Sequence, residues 1–144
     1  MNSLFDKLIS LPDIEYLTIN GEFQLIALSS GVTLFADKPT QVELGKDVRK
    51  GFPELVGAEE AIQDILMGQR DNFECKGITR LQSDGNPIYF DVYVFRDKYE
   101  RKHQELIVFF EDTTERMNME QTVVQATNEA MLLLNSLDKV EKNY

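Results

Sequence analysis

The side chains that most often do acid–base, nucleophilic or metal chemistry are scarce in this sequence, which holds one histidine and one cysteine. His103 lies in a charged run, where we expect a solvated side chain. Aspartate and glutamate are abundant, but their spacing fits no EF-hand loop, and Gly45, Gly51 and Gly57 do not form a phosphate-binding loop. The sequence therefore predicts no catalytic or metal site, and a small α+β enzyme is the least favoured class.

The single cysteine, Cys75, lies in a strand-like segment. Simple alternation along that strand places it on the same face as Phe73 and Thr79. We expect a small, half-buried thiol with a structural role. A redox sensor is the alternative, because a thiol of low pKa can be oxidised reversibly.

A binding site for an apolar ligand is the other chemistry that the sequence allows. Aromatic and aliphatic side chains from a central helix and from three strands could enclose such a pocket. The same side chains could equally fill a core that holds no ligand. The candidate pocket residues are Ile65, Leu66, Phe73, Phe90 and Phe109.

The apolar run over 106–110 passes almost directly into a long stretch without glycine or proline. At this junction Asp112 can cap the helix, with Glu115 reaching back in an aspartate version of the capping box. Thr113 or Thr114 could cap instead, since helix boundaries read from sequence are uncertain by one or two residues. The pattern predicts a β-strand that leads straight into a capped helix.

Apolar residues in that helix recur at spacings of 4, 3, 4, 3, 4 and 3, which is the a/d seam of a coiled coil over about three heptads. A helix of roughly 40 Å, at ~1.5 Å per residue, is longer than a domain of this size can cover, so we expect a homodimer. The alternative is an amphipathic helix folded back on a monomer's core. A second stripe, formed by Met117, Val124, Met131 and Leu134, could pack on the domain or on another helix. The seam residues are Met119, Val123, Ala126, Ala130, Leu133, Leu137 and Val140.

Composition narrows the class of protein and its partners. The 144 residues fit one domain with helical extensions, and a hydrophobic content of 42% is enough for a core. The net charge of −10 argues against nucleic acid or an anionic membrane as the main partner. A lone cysteine, the lack of a bilayer-length apolar run and the lack of a signal-peptide pattern lead us to expect a cytoplasmic protein.

Hydrophobic periodicity predicts the order of the elements. Strands cluster towards both ends, with short helices between them, which favours an α+β fold with a five-stranded antiparallel sheet. The short helices would cover one face, and the terminal helices are the candidates for covering the other. The predicted elements are an amphipathic helix over 1–11, strands over 14–20 and 23–29, a helical turn over 32–36, a helix over 58–67, strands over 73–82, 88–96 and 106–111, and the long helix.

Several features of the sequence resemble a PAS domain over roughly residues 12–116. They include the strand order, the step from helix to strand over 68–73 and the Asp84-Gly85 hairpin turn. The most specific is Asp112-Thr113-Thr114, which is similar to the family's Asp-x-Thr motif with Thr113 in place of the usual isoleucine or valine. The departure keeps the capping groups but removes an apolar contact. The resemblance implies a PAS domain over 12–112, between an N-terminal helix over 1–11 and a C-terminal signalling and coiled-coil helix over 113–144.

The helix beyond the motif, which runs through Leu132-Leu133-Leu134, resembles the linker helix of multidomain bacterial sensors, particularly cyanobacterial histidine kinases and nucleotide cyclases. The resemblance implies a sensory and dimerisation module that signals through this helix to an effector domain in the same or another chain. A PAS sensor with an apolar ligand pocket and a stand-alone adaptor are the alternatives. The implied signal-relay junction comprises Asp112, Thr113, Thr114, Glu115 and Arg116.

The resemblance also bears on cofactors, and we expect none. Haem-binding PAS domains usually need an axial ligand between the second and third strands, yet no histidine or cysteine lies between Val32 and Asn72. The flavin-binding branch carries an Asn-Cys-Arg-like motif on a central helix, whereas Cys75 lies on a strand. Haem and flavin are therefore both disfavoured.

Overall fold

The structure is a computed structural model that describes residues 13–97 and 105–142, with side chains up to Asp138. It divides into two compact units, and the chain passes from one to the other between Thr113 and Thr114. Three predictions concern residues outside the described ranges or side chains: the N-terminal helix over 1–11, the placement of His103 and the seam side chain of Val140. The described part of the second unit is a single helix, α2 (Thr114–Lys142).

The first unit is built on a five-stranded antiparallel sheet, which confirms the predicted fold class. The strands lie in the spatial order β2-β1-β5-β4-β3, so the last strand is in the middle and pairs with the first and the fourth. This order brings the two ends of the domain's sequence to the centre of one sheet. The strands are β1 (Ile14–Asn20), β2 (Leu25–Leu28), β3 (Asn72–Leu81), β4 (Pro87–Arg96) and β5 (Glu105–Asp112).

Short helices cover one face of this sheet. The longest is α1 (Glu59–Leu66), which buries Ile62, Ile65 and Leu66 and is followed by Gly68 at a φ of 76°. Glycine at that position is a common helix stop, because it adopts positive φ without steric cost. The 3₁₀ helices within the described residues are Val32–Phe35, Pro39–Gln41, Val48–Lys50 and Pro53–Leu55.

The hydrophobic core lies between these helices and one face of the sheet. Side chains of a strand alternate between faces, so Leu106, Val108 and Phe110 of β5 all point into the core, where each is at most 1% exposed. Full burial of one such side chain stabilises the fold by roughly 1.5–3 kcal/mol. The helical layer and the central strand are therefore held together mainly by apolar contact.

The first hairpin departs from the sequence prediction, because β2 covers only Leu25–Leu28 instead of 23–29. Asn20 gives the physical reason. Its side-chain oxygen accepts hydrogen bonds from the backbone N–H groups of Glu22 and Gln24, both at 2.9 Å. These bonds hold the chain in a loop in which Phe23 has a φ of 64°, a conformation that a strand does not accommodate.

Arg49 ties this loop to the helical layer. Its guanidinium lies 4.3 Å from the centroid of the Phe23 ring. It pairs with Asp47 through two contacts, Nε to Oδ1 at 2.9 Å and Nη2 to Oδ2 at 2.6 Å, and reaches Glu59 at 3.3 Å. Hydrogen bonds from Arg49 hold the pKa of the Asp47 carboxyl below its usual value.

The Asp47 pair should make stability depend on pH. Because the folded-state pKa of Asp47 lies below the unfolded value of about 4, its stabilisation is complete above that value and is lost as the pH falls through the folded pKa. Asp47→Asn keeps the oxygen that accepts from the Arg49 N–H but removes the charge. We expect it to lower the free energy of unfolding by up to about 1 kcal/mol at neutral pH, since the pair is partly exposed. Urea unfolding at several pH values should show the two proteins converging in acid. A difference that stays constant from neutral pH to strong acid would contradict this role.

Candidate functional site

Three of the five candidate pocket residues come together in the core. Ile65, Leu66 and Phe90 are all buried between α1 and the sheet. The ring of Phe90 packs against two further rings, with centroid distances of 5.0 Å to Phe35 and 6.1 Å to Phe110. Such pairs add about 0.5–1.5 kcal/mol beyond the burial of area. At the predicted position of the ligand pocket, these aromatic rings pack against one another. The ligand pocket stays a prediction.

The other two candidates, Phe73 and Phe109, are not among the fully buried residues of the core. Phe73 is half-buried and packs at the margin of the core, where the Arg70 guanidinium is 5.5 Å from its ring centroid. Phe109 points to the opposite face, because consecutive residues of β5 alternate between the two faces. There its ring lies 6.1 Å from that of Phe95. The structure therefore does not bring Phe109 together with the other pocket candidates.

An ion pair between Arg80 and Glu54 lies against the aromatic core. The two side chains are only 13% and 11% exposed and are in direct contact. Arg80 also donates two hydrogen bonds to the backbone oxygen of Phe35, at 3.1 and 3.2 Å, and its guanidinium is 5.5 Å from the Phe90 ring centroid. This pair therefore joins β3 to two of the 3₁₀ helices in the layer above it.

Arg80 was not predicted as a core contact, because strict alternation along the strand places Thr79 on the same face as Phe73 and Cys75. A β-bulge between Cys75 and Ile78 shifts the register of β3, and Gly77 within it has a φ of 72°. Beyond the bulge Ile78 packs against the core, the Arg80 side chain is largely buried and Thr79 is exposed. The placement of Thr79 was wrong. A glycine in the middle of a predicted strand was the signal that could have shown the bulge.

Cys75 is a half-buried free thiol that packs against the core. Burial raises the pKa of this thiol, and the nearby negative charges of Glu54 and Asp91 raise it further. Because the thiolate is the reactive form, a raised pKa makes Cys75 a poor nucleophile at neutral pH. This environment favours the structural role over the redox sensor.

The second face of the sheet carries a band of half-buried aromatic side chains. Tyr16, Phe109 and Tyr93 are direct neighbours across β1, β5 and β4. Burial, together with the charges of Asp91 and Glu111, raises the pKa of Tyr93 to about 12, so its hydroxyl is neutral at neutral pH. The band fits the expectation that another segment covers this face, and the identity of that segment stays a prediction.

Backbone hydrogen bonds hold the end of β5, at the predicted signal-relay junction. The Asp112 N–H donates to the Asp13 carbonyl at 2.8 Å, and the Thr113 N–H donates to the Tyr89 carbonyl at 2.8 Å. The Thr113 side chain is buried, so the residue that replaces the usual isoleucine or valine occupies an enclosed position. The last residues before the helix are therefore held by backbone hydrogen bonds to neighbouring segments of the same unit.

The first turn of α2 holds the other three junction residues. Thr114 is half-buried, whereas Glu115 and Arg116 are exposed. Glu115 lies in the first turn, where the helix dipole favours a negative charge. The capping roles of Asp112 and Glu115 stay predictions.

α2 has 29 residues and is about 43 Å long at ~1.5 Å per residue. Its large seam side chains are between 61% and 68% exposed. A helix with an apolar stripe of this kind normally buries the stripe against another element. The seam is therefore available to a second helix, and the coiled coil stays a prediction. The exposed seam residues are Met119, Val123, Ala126, Ala130, Leu133 and Leu137.

Within residues 13–97 and 105–142, no helix is both long enough and apolar enough to cross a bilayer. In the same two ranges, no three histidine, cysteine, aspartate or glutamate side chains are grouped so that they could hold a metal ion.

Comparison with known proteins finds similarity in structure alone. No protein-family model matches the sequence, and no curated protein matches it. A sensory box histidine kinase/response regulator from Burkholderia thailandensis E264 aligns with a TM-score of 0.53 and 11% identity, over 88% of this chain and 97% of that chain. An RNA-binding light-oxygen-voltage receptor aligns with a TM-score of 0.52 and 14% identity, over 89% of this chain and 36% of that chain.

The PAS domain of nitrogen regulation protein NR(II) from Vibrio parahaemolyticus aligns less closely, with a TM-score of 0.49 and 14% identity over 77% of this chain and 99% of that chain. Identities this low show the fold alone. The sheet order and the helical layer define an α+β fold, which a long C-terminal helix follows. That fold is the PAS fold, and the chain resembles the PAS domains of bacterial sensor histidine kinases.

The Arg80–Glu54 pair should be needed for the stability of the first unit. Arg80→Met leaves the largely buried Glu54 carboxylate without its partner, and we expect a loss of roughly 3–5 kcal/mol in the free energy of unfolding. The double variant Arg80→Met/Glu54→Leu removes both charges and should be more stable than Arg80→Met alone. Urea unfolding of the wild type, both single variants and the double variant measures the coupling. Losses that simply add in the double variant would contradict a direct pair.

Proposed function

We propose that this chain is a PAS-type sensory and homodimerisation module of a cytoplasmic signal-transduction protein. In this proposal an input alters the packing between the sheet and its helical layer. The C-terminal helix then passes the change to an effector, such as a histidine kinase or nucleotide cyclase domain, in the same or another chain. The module itself catalyses no reaction and holds no cofactor.

One observation carries the proposal: a PAS fold is followed directly by a 29-residue helix whose apolar seam is exposed. Helix propensity alone gives an isolated helix little stability. In proteins, most of the stability of a helix comes from packing of its apolar face. Burying a valine, leucine or methionine side chain is worth up to about 1.5–3 kcal/mol. A second copy offers an identical seam at the same spacing, so a symmetric two-helix coiled coil satisfies the pattern with no further component.

The proposed input acts on the contacts that join the helical layer to the sheet. Arg80 and Glu54 cross that boundary beside the aromatic core, and Arg49 joins the first hairpin to α1 through Glu59. An equilibrium between two packings that differ by a few kcal/mol is enough for a switch. The junction from Asp112 to Arg116 then relays the change, because it is the covalent link between the two units.

The packing of the core favours this module over a sensor with an apolar ligand pocket. Phe110 contacts Phe35 at 5.6 Å and Phe52 at 4.9 Å, between ring centroids, in addition to Phe90. These rings pack against one another between the sheet and the helices, so a ligand that bound between them would have to separate them.

Cysteine crosslinking tests the proposed dimer and its orientation. In a Cys75→Ala background, Val123→Cys and Leu137→Cys each place one thiol in the seam, whereas Gln121→Cys places it on the opposite side of the helix. In a parallel coiled coil each seam residue faces its own copy, within reach of a disulfide. We expect mild oxidation to give disulfide-linked dimers of both seam variants and little of the Gln121→Cys control.

Two results would count against the proposal as stated. Equal crosslinking of all three variants would indicate random collision, and no crosslinking of either seam variant would remove the parallel dimer.

A further inference from the structure

A second face of α2 carries apolar side chains that the proposed dimer leaves uncovered. At about 100° per residue, Met117, Val124, Met131 and Leu132 lie on the side opposite the seam, and we call these four residues the far face. Met117, Val124 and Leu132 line one shallow groove, together with polar side chains that include Asn128. The far face therefore extends along about half of the helix, from Met117 to Leu132.

Exposure shows how much of the far face remains uncovered. Val124, Met131 and Leu132 are between 56% and 67% exposed, whereas Met117 is half-buried. In a two-helix coiled coil only the a and d side chains are fully covered, and the residues opposite them remain in water. Over 131–134 apolar side chains point in every direction around the helix, which is typical of a helix that packs on more than one side. A single partner helix on the seam would leave some of the apolar side chains over 131–134 exposed to water.

Charge indicates what kind of partner fits. Glu120 and Glu129 line the groove beside the apolar side chains, and its described lining residues include no lysine or arginine. An apolar helix flanked by basic residues would cover the same side chains and gain favourable charge pairs.

We propose that the far face docks an amphipathic helix of a partner protein, one whose apolar stripe is flanked by lysine or arginine. The mode is a helix laid against an apolar groove, with charge giving preference among partners. The inference rests on the proposed function in one respect: the dimer occupies the seam and so leaves the far face as the second surface. The two claims have separate readouts, which are molar mass for the dimer and peptide affinity for the far face.

Two synthetic peptides of three heptads serve as probes. Both have the same leucine stripe; one has lysine at the flanking positions and the other has glutamate. Fluorescence anisotropy with the full chain should show binding of the Leu/Lys peptide that weakens as salt is raised, and far weaker binding of the Leu/Glu peptide. Equal binding of the two peptides, or no binding of the Leu/Lys peptide, would overturn the proposal.

Variants assign the binding to the far face. Met131→Gln/Leu132→Gln should lower the affinity for the Leu/Lys peptide by roughly tenfold or more, because two apolar contacts are lost, while the molar mass stays that of the wild type. Asn135→Gln is the matched control, since it puts the same side chain close by without removing an apolar group. It should leave the affinity unchanged. Unaltered binding by the double variant, or an equal loss in the control, would show that the far face is not the docking surface.

Discussion

The apolar seam of α2 is exposed to water, and the proposed function depends on how this seam is covered. Large side chains that recur at heptad spacing are costly to leave in water along a helix of about 43 Å. The helix has no interior of its own, so the cost is removed only by another surface. The proposed dimerisation and the proposed relay to an effector both depend on how that surface is supplied.

In the first unit, by contrast, the large apolar side chains of the core are buried. Phe110 lies at the centre of the core, on the strand that leads to the junction, and contacts rings from the helical layer and from β4. Charged side chains reinforce this contact at two places. Arg80 joins β3 to the 3₁₀ helices, and Arg49 joins the first hairpin to α1. A change in the helical layer thus bears directly on the strand whose end is the proposed relay.

Much of the fold could be read from the sequence, because it is set by local pattern. Alternation in β4 and β5, the Gly68 stop after α1 and the uninterrupted run after Asp112 each fix an element within a residue or two. The seam of α2 likewise follows from spacing alone. These features depend on neighbours in the chain and need no knowledge of distant contacts.

The features that the sequence did not predict depend on strand register and on contacts between residues that are distant in the chain. The bulge at Gly77 reverses which of Thr79 and Arg80 points inward, and simple alternation cannot show this. The partner of Arg80, Glu54, is far away in the chain and becomes a neighbour only when the 3₁₀ helices fold over the sheet. Phe109 was grouped with the core by residue type, although its position in β5 assigns it to the other face.

The molar mass in solution, compared for the full chain and for a chain that ends at Arg116, tests the central claim most directly. Light scattering over a range of concentrations should give twice 16.6 kDa for the full chain and a single-copy mass for the shortened one. Circular dichroism should confirm that the shortened chain keeps its sheet. A full chain that stays monomeric at every concentration, or a shortened chain that still dimerises, would contradict the account.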